Sequence, residues 1–345
     1  MVTAAAIVWG LNGTISKLLI QGGFDPPQLT TFRATGAFLA ILAIALVTKG
    51  PRALRASRRE VPRLFVYGVV GVYAVPMLYF VTISRLPVGI GLLFEFTAPA
   101  FVALWVRFGE HQQVRRRLWA GLGMCVAGLV GVAQIWTAFA PGQGLRLDSL
   151  GILSGLTSAL MLAAYYVLGA KFVAGTTAVG SAEATSTVRR DPLTLTCWAF
   201  GFAALAGAVV RPWWNFDAGL LGGHSGGQPT WLLLTYLVIL GTIVPYLLVT
   251  FAMRHLPPTS VGIIGMVEIL MASTFAWVLL GEALDPAQIV GGLVLVVGVA
   301  LAESARVTAA RTGPPPAAEP AVADHKDDAR TDDPRGTPPS VPAAR

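Results

Sequence analysis

The sequence predicts an all-α integral membrane protein: ten transmembrane helices arranged as two inverted five-helix repeats. Three observations lead there. The first is composition. Of 345 residues, 54% are hydrophobic and 12% charged, with a mean hydropathy of +0.66, whereas a soluble domain carries about 25% charged residues. Residues 303–345 hold 13 of the 43 charged side chains, which leaves about one in ten over residues 1–302. Such a chain cannot cover a water-facing surface, so the bilayer is the solvent for most of it. The second observation is a regular alternation of apolar runs with short turn segments. The third is a pattern that occurs twice.

A membrane-crossing helix takes about 20 apolar residues. Taken in order, the first span covers 1–20 and ends at Gly22-Gly23 and Pro26-Pro27. It lacks a basic leader region and continues into Asn12, Ser16 and Lys17, so it reads as a span and not as a cleavable signal. The second, 28–48, closes at Gly50-Pro51; the third and fourth, 64–84 and 88–108, are parted by Pro87; the fourth ends at Gly109-Glu110. The fifth, 118–138, precedes Pro141-Gly142, and the sixth and seventh follow at 150–173 and 193–213. The eighth and ninth, 230–252 and 259–280, flank Pro257-Pro258, and Asp285-Pro286 opens the tenth at 287–302. Connections this short make neighbours antiparallel. With the N-terminus placed in the cytoplasm, 20 of the 25 Lys and Arg fall on the inner side and 3 on the outer. The excess of basic residues puts both termini inside, and an odd number of spans would destroy it. Beyond Ser304, eight prolines among alternating Ala, Asp and Arg predict a disordered cytoplasmic tail over 303–345.

The repeat joins YGVVGVYAVPMLYFVTISRLP at 67–87 to YLVILGTIVPYLLVTFAMRHLPP at 236–258. Pro76 matches Pro245, Arg85 matches Arg254, and Leu86-Pro87 matches Leu256-Pro257. Each copy continues into a span with one acid, Glu95 or Glu268, then Gly109-Glu110 or Gly281-Glu282, then a glycine-rich span with Gly121 and Gly128 or Gly291 and Gly298. The expected units are therefore 1–138 and 150–302. Five spans per unit turn the second copy upside down in the membrane. Inverted repeats of this kind underlie alternating-access transport, with the binding site near the midplane between halves.

AIVWGLNGTISKLL, the TTFRATGAFLAIL span with Arg33, FEFTAPAFVALWVRFGE and GMVEILMASTFAWVLLGEAL resemble the drug/metabolite transporter superfamily, EamA type, over roughly residues 1–304. FEFTAPAFVAL is most similar to the threonine and homoserine exporter branch. The resemblance implies a ten-helix basket around a central cavity lined by spans 1, 3, 4, 6, 8 and 9, with spans 5 and 10 in support. It also implies an amino acid or similar polar metabolite as cargo. The sequence departs from the family pattern at Ile269, where proline often follows the glutamate, and in the short Pro99-to-Glu110 interval.

Ionisable groups at membrane depth are candidates for function because they are costly to hold there. Glu95 and Glu268 approach the midplane from opposite sides and suit proton exchange or amine binding; the alternative for each is a bond to a neighbouring helix. Pro99 cannot donate to the carbonyl of Glu95 four residues back. Pro76 and Pro245 interrupt spans 3 and 8. Tyr73, Tyr79, Tyr165, Tyr166 and Tyr246 offer aromatic walls with hydroxyls, Trp9 an indole donor and Asn12 an amide. Substrate contacts are expected from Trp9, Asn12, Tyr73, Pro76, Tyr79, Glu95, Pro99, Tyr165, Tyr246 and Glu268, and proton coupling from Glu95 and Glu268. Lys17 and Lys171, at span ends, can snorkel to the interface. Arg33 can pair with Asp25 or face a substrate carboxylate. Glu110 and Glu282 suit capping or loop pairing, and the four paired glycines suit close helix packing.

Cys125 and Cys197 lie in apolar runs and suggest neither a disulfide framework nor a metal site. His111, His224, His255 and His325 fall in loops or the tail, and no Walker loop or zinc-protease pair occurs. These features disfavour an enzyme, an ATP-driven pump, a cofactor protein and a nucleic-acid reader. The expectation is a secondary transporter in a prokaryotic inner membrane that exports a small metabolite, with protons as the candidate coupling ion. The alternative is a non-transporting membrane sensor or assembly module.

Overall fold

The computed structural model describes residues 2–109 except 59, then 116–133, 148–174, 192–245 except 213, 214 and 217, residue 248, and 267–311. The described chain is almost entirely helical. Helix α1 is Val2–Gln21 and α2 is Pro26–Lys49. The two prolines expected to break the chain sit in the first turn of α2, where a missing N–H costs nothing. Asp25 caps that turn, accepting the Gln28 N–H at 2.7 Å.

The third span is one rod with a widened middle: α3 Val61–Tyr67, a π-helical stretch Gly68–Ala74, and α4 Val75–Arg85. The eighth begins as α10 Thr230–Val238 and passes into a second π stretch, Ile239–Ile243. Each stretch comes just before a matched proline, Pro76 or Pro245. A proline offers no N–H to the preceding turn and its ring crowds the carbonyl four residues back. Widening the turn relieves both problems. The Thr242 hydroxyl follows the wider register, donating five residues back to the Leu237 carbonyl at 2.8 Å.

The fourth span, expected as continuous, is interrupted. Helix α5, Val88–Glu95, stops at Phe96-Thr97, and α6 runs Ala98–Phe108. Both the N–H and the hydroxyl of Thr97 turn back to the Phe94 carbonyl, at 3.0 and 2.6 Å. Thr97 thus offers the backbone a local alternative to the helix, and Pro99 supplies no N–H two residues later. Helices α7 Arg116–Ala133, α8 Ser149–Ala174 and α9 Pro192–Val210 follow the expected spans closely.

Two further elements differ from expectation. A small antiparallel hairpin pairs β1 His224–Ser225 with β2 Gln228–Pro229; strands of two residues leave no alternation to read. After α11, Val267–Leu280, the last helix α12 runs Pro286–Arg311, past the expected boundary at 302. Residues 303–311, ESARVTAAR, are mostly good helix formers. The tail from 312 onwards lies outside the described residues.

Among the described residues, five helices are long and apolar enough to cross a membrane: Thr3–Gln21, Pro26–Lys49, Val61–Arg85, Ser149–Leu168 and Leu193–Val210. Shorter apolar helices at Val88–Val102, Thr230–Ile243, Val267–Leu280 and Pro286–Ala302 accompany them. Large side chains such as Val47, Leu153, Val209 and Trp277 point outward, as lipid contact requires. Helices α7 and α12 touch backbone to backbone: a Cβ on Gly128 would lie 2.6 Å from the Gly291 carbonyl oxygen, and one on Gly121 2.7 Å from that of Gly298. The expected glycine pairing is therefore a real contact surface.

Helix α1 is the central post. Residues 12–17 are all buried, and α4, α5, α10 and α11 pack around it. Phe80, Val88, Leu92, Leu234 and Ala272 form the apolar part of that packing around Ile15 and Leu19.

Candidate transport site

The polar centre is built on the run Asn12-Gly13-Thr14-Ile15-Ser16-Lys17 of α1. Ser16 bonds back to the Asn12 carbonyl at 2.7 Å. Two glycines in and near this run let the neighbours close in. The Tyr79 hydroxyl of α4 lies where a Cβ on Gly13 would be, 2.6 Å away. A Cβ on Gly10 would meet Met271 and Ala272 of α11 at 2.8 and 2.9 Å. On another side, the Asn12 side chain abuts Gly241 of the second π stretch.

Around Tyr79 the charged groups gather. Glu95, at the end of α5, Glu268 on α11, Glu282 and Arg33 all lie within electrostatic range of its hydroxyl. Glu95 and Glu268 also lie within range of each other, and Arg33 within range of Glu95. Both residues lie deep in the bundle and are partly buried. Arg33 is buried, with its guanidinium 6.0 Å from the centre of the Phe80 ring. The Asp25 carboxylate pairs with Arg211 at 3.0 Å.

Three buried polar atoms in this region have no hydrogen-bond partner among the described residues: Asn12 Oδ1, Thr14 Oγ1 and Tyr79 Oη. An unpaired buried polar group costs about 1–3 kcal/mol. Asn12 and Tyr79 were expected at the site. Thr14 was missed, although the polar run within an apolar span was a legible signal.

The other expected residues divide. Trp9 is half-buried on α1; Tyr73 and Pro76 are buried at the end of the first π stretch and the start of α4. Pro99 occupies the first turn of α6. Tyr165 is turned to a different neighbour: it fills the notch at Gly71 and stacks on Tyr67 with ring centres 4.6 Å apart. Tyr166 is exposed on α8, its ring centre 5.9 Å from that of Tyr165. Tyr246, Glu110, Arg254 and the side chain of Lys171 lie outside the described residues. Tyr236, not expected, ties α10 to α1 through its hydroxyl, 3.1 Å from the Val8 carbonyl.

The snorkelling expected of Lys17 does not occur. Lys17 is 8% exposed, ion-paired to Glu282, and donates to the Leu86 carbonyl at 2.7 Å. Glu282 also accepts the Val88 N–H at 2.9 Å, the first of α5. The chain reaches this position because Gly281 adopts φ +69° after α11. Its N–H returns to Trp277 and that of Glu282 to Ala276, closing a left-handed helix cap that needs glycine. Truncating one member of a buried ion pair costs about 3–5 kcal/mol.

The EamA-like transporter family profile matches residues 1–134 and 149–303. The chain belongs to the EamA-like transporter family. It is a membrane transporter that crosses the bilayer several times and handles a small molecule. Among EamA-like relatives, it is 27% identical over 301 residues to an uncharacterized transporter of Archaeoglobus fulgidus, covering 86% of this chain and 95% of that protein. It is 26% identical over 290 residues to the threonine/homoserine exporter RhtA of Escherichia coli, covering 84% of each. A solved crystal structure superposes with a TM-score of 0.56 at 20% identity, over 89% of this chain and 97% of that one, a likeness of fold.

Proposed function

We propose that this transporter exports a small polar metabolite, with amino acids as the cargo class, by alternating access coupled to protons. The observation that carries the reading is the meeting of Glu95 and Glu268 beside Tyr79. One acid comes from each repeat, and acids at this depth are costly unless used. In this reading residues 1–138 and 150–302 are the inverted halves, and cargo binds between them near the midplane. Asn12, Thr14 and Tyr79, whose buried polar atoms have no hydrogen-bond partner among the described residues, supply hydrogen bonds to cargo. Glu95 and Glu268 bind its ammonium group or carry the exchanged proton, and Arg33 faces its carboxylate. Trp9, Tyr73, Pro76 and Pro99 shape the path. The name of the RhtA relative supports the amino-acid class and the outward direction. The 20 to 3 distribution of Lys and Arg supports cytoplasmic termini and an inner membrane.

The test is flux in proteoliposomes. Vesicles holding the purified protein and loaded with labelled threonine or homoserine should release label faster than empty liposomes, and an imposed pH gradient should change the rate. Thermal shifts against a panel of amino acids would identify further cargo. If no amino acid moves faster than in protein-free vesicles, the cargo class is wrong. If flux occurs but is the same at every pH from about 5.5 to about 8, the coupling is wrong.

A further inference from the structure

Three ion pairs set the frame here: Lys17–Glu282, Arg85–Asp148 at 3.3 Å and Arg211–Asp25 at 3.0 Å. Each joins the first expected unit to the second or to the turn that opens it, and all three lie at the same end of the molecule. The hairpin adds to them, since Ser225 rests against Gly22 at the end of α1. The three pairs are not equal. Arg85, Asp148, Arg211 and Asp25 keep 40–43% of their side-chain surface exposed, whereas Lys17 and Glu282 keep 11% and 15%. Exposed pairs contribute little. The shielded pair is also anchored on both sides by backbone, through the Leu86 carbonyl and the Val88 N–H.

From this we infer that Lys17 and Glu282 form the latch that closes this end of the transport path. The end is the outer one under the orientation proposed above, on which that label rests. The latch acts on the site through α5. Glu282 holds the first residue of this eight-residue helix and Glu95 is its last, about 10 Å away at 1.5 Å per residue. Residues 88–94 are buried throughout, and the helix ends at the Phe96-Thr97 interruption. Helix α5 is therefore a short rod, pinned at one end by the opposite repeat and carrying a central carboxylate at the other. Opening this end requires the Glu282 carboxylate to leave both Lys17 and Val88.

The polarity of the anchors limits which variants are informative. Exchanging the two charges would set a carboxylate against the Leu86 carbonyl and an ammonium against the Val88 N–H, so a charge swap is not a clean rescue. A double-variant cycle is clean. Thr14 lies one turn below Lys17 and its hydroxyl has no partner among the described residues, so Thr14→Cys is a mild reporter. In intact cells, its reaction with a membrane-impermeant thiol reagent should be slow. Glu282→Gln and Lys17→Gln should each speed labelling about tenfold, within the roughly 5–150-fold range of typical two-state couplings. The double variant should label no faster than either single one, because both remove the same contact.

Labelling rates equal to the parent, at matched membrane levels, would overturn the latch, as would single effects that multiply in the double variant. The same measurement on inside-out vesicles separates this proposal from the orientation. Acceleration seen only there keeps the latch and reverses the topology. Cargo flux measured on the wild-type protein, with Thr14 in place, decides the transport reading independently of either result.

Discussion

The two acid-bearing helices occupy matching places in the repeats and are built differently. In the first repeat the helix stops at Phe96-Thr97 immediately after Glu95 and restarts before Pro99. In the second, α11 runs unbroken from Val267 through Glu268 to Leu280. The sequence difference is small: Thr97-Ala98-Pro99 follows one acid and Leu270-Met271-Ala272 follows the other. An interruption frees the backbone next to Glu95 to change direction, while Glu268 is fixed to a rigid rod. The pair is symmetric in placement and asymmetric in mobility, so the two acids should not be functionally interchangeable.

The largest expected effect tests that asymmetry directly. Glu95→Gln should abolish flux driven by a pH gradient while leaving membrane insertion and cargo-induced thermal shifts intact. Glu268→Gln should lower the same flux only about fivefold, the small end of typical couplings. Equal losses would break the comparison, and wild-type flux for Glu95→Gln would return Glu95 to a packing role. Next, Pro99→Ala restores a helical N–H and favours a continuous helix. It should raise the melting temperature of the purified protein while lowering flux about tenfold, the signature of a trade between stability and function.

Away from the acids the repeats should behave alike. Gly128→Ala and Gly298→Ala each force a Cβ against facing backbone, at 2.5 Å from the Leu295 nitrogen and 2.8 Å from the Cys125 nitrogen. Both should destabilise by about 1–3 kcal/mol, read as matching drops in melting temperature, whereas Gly123→Ala, with nothing within 4 Å, should be neutral. The smallest effect belongs to Asp148. The Gly151 N–H, and then the charge of Arg85, hold its carboxyl below the usual range. A depressed carboxyl adds stability that is present above its unfolded value, about 3.9, and is lost as pH falls through the lower folded one. Asp148→Asn should therefore melt slightly earlier than the parent at neutral pH, and the two curves should converge below about pH 4.

Most of the scaffold was legible in the sequence because lipid imposes a simple rule: long apolar helices joined by turns. The glycine pairs announced the α7–α12 contact, and Glu95 and Glu268 stood out as acids in apolar runs. What was not legible depended on contacts distant in sequence. Glu282 reads as a cap or loop partner, but nothing local names Lys17 as its partner. Lys17 reads as a snorkelling residue until the Leu86 carbonyl is seen to receive it. Arg211 reaches Asp25 from the far end of α9, a pairing that nothing local to either residue names. The stop after Glu95 was half visible, since Pro99 signalled a missing bond but Thr97 was not recognised as the competing donor.

The paired π stretches bear on the repeat proposed above. A π turn is what a helix makes when it takes in one residue too many and keeps its ends in place. Counting back from Pro76 and Pro245, Ile239–Ile243 falls within the interval that Gly68–Ala74 defines. Two unrelated insertions would have had to strike the same turn of two separate helices. If the two units proposed above are copies of one another, a single insertion in their common five-helix ancestor accounts for both at once. Deleting one residue from either stretch would then restore a regular α-helix and leave the flanking turns in register, with Tyr79 still set against Gly13 of α1.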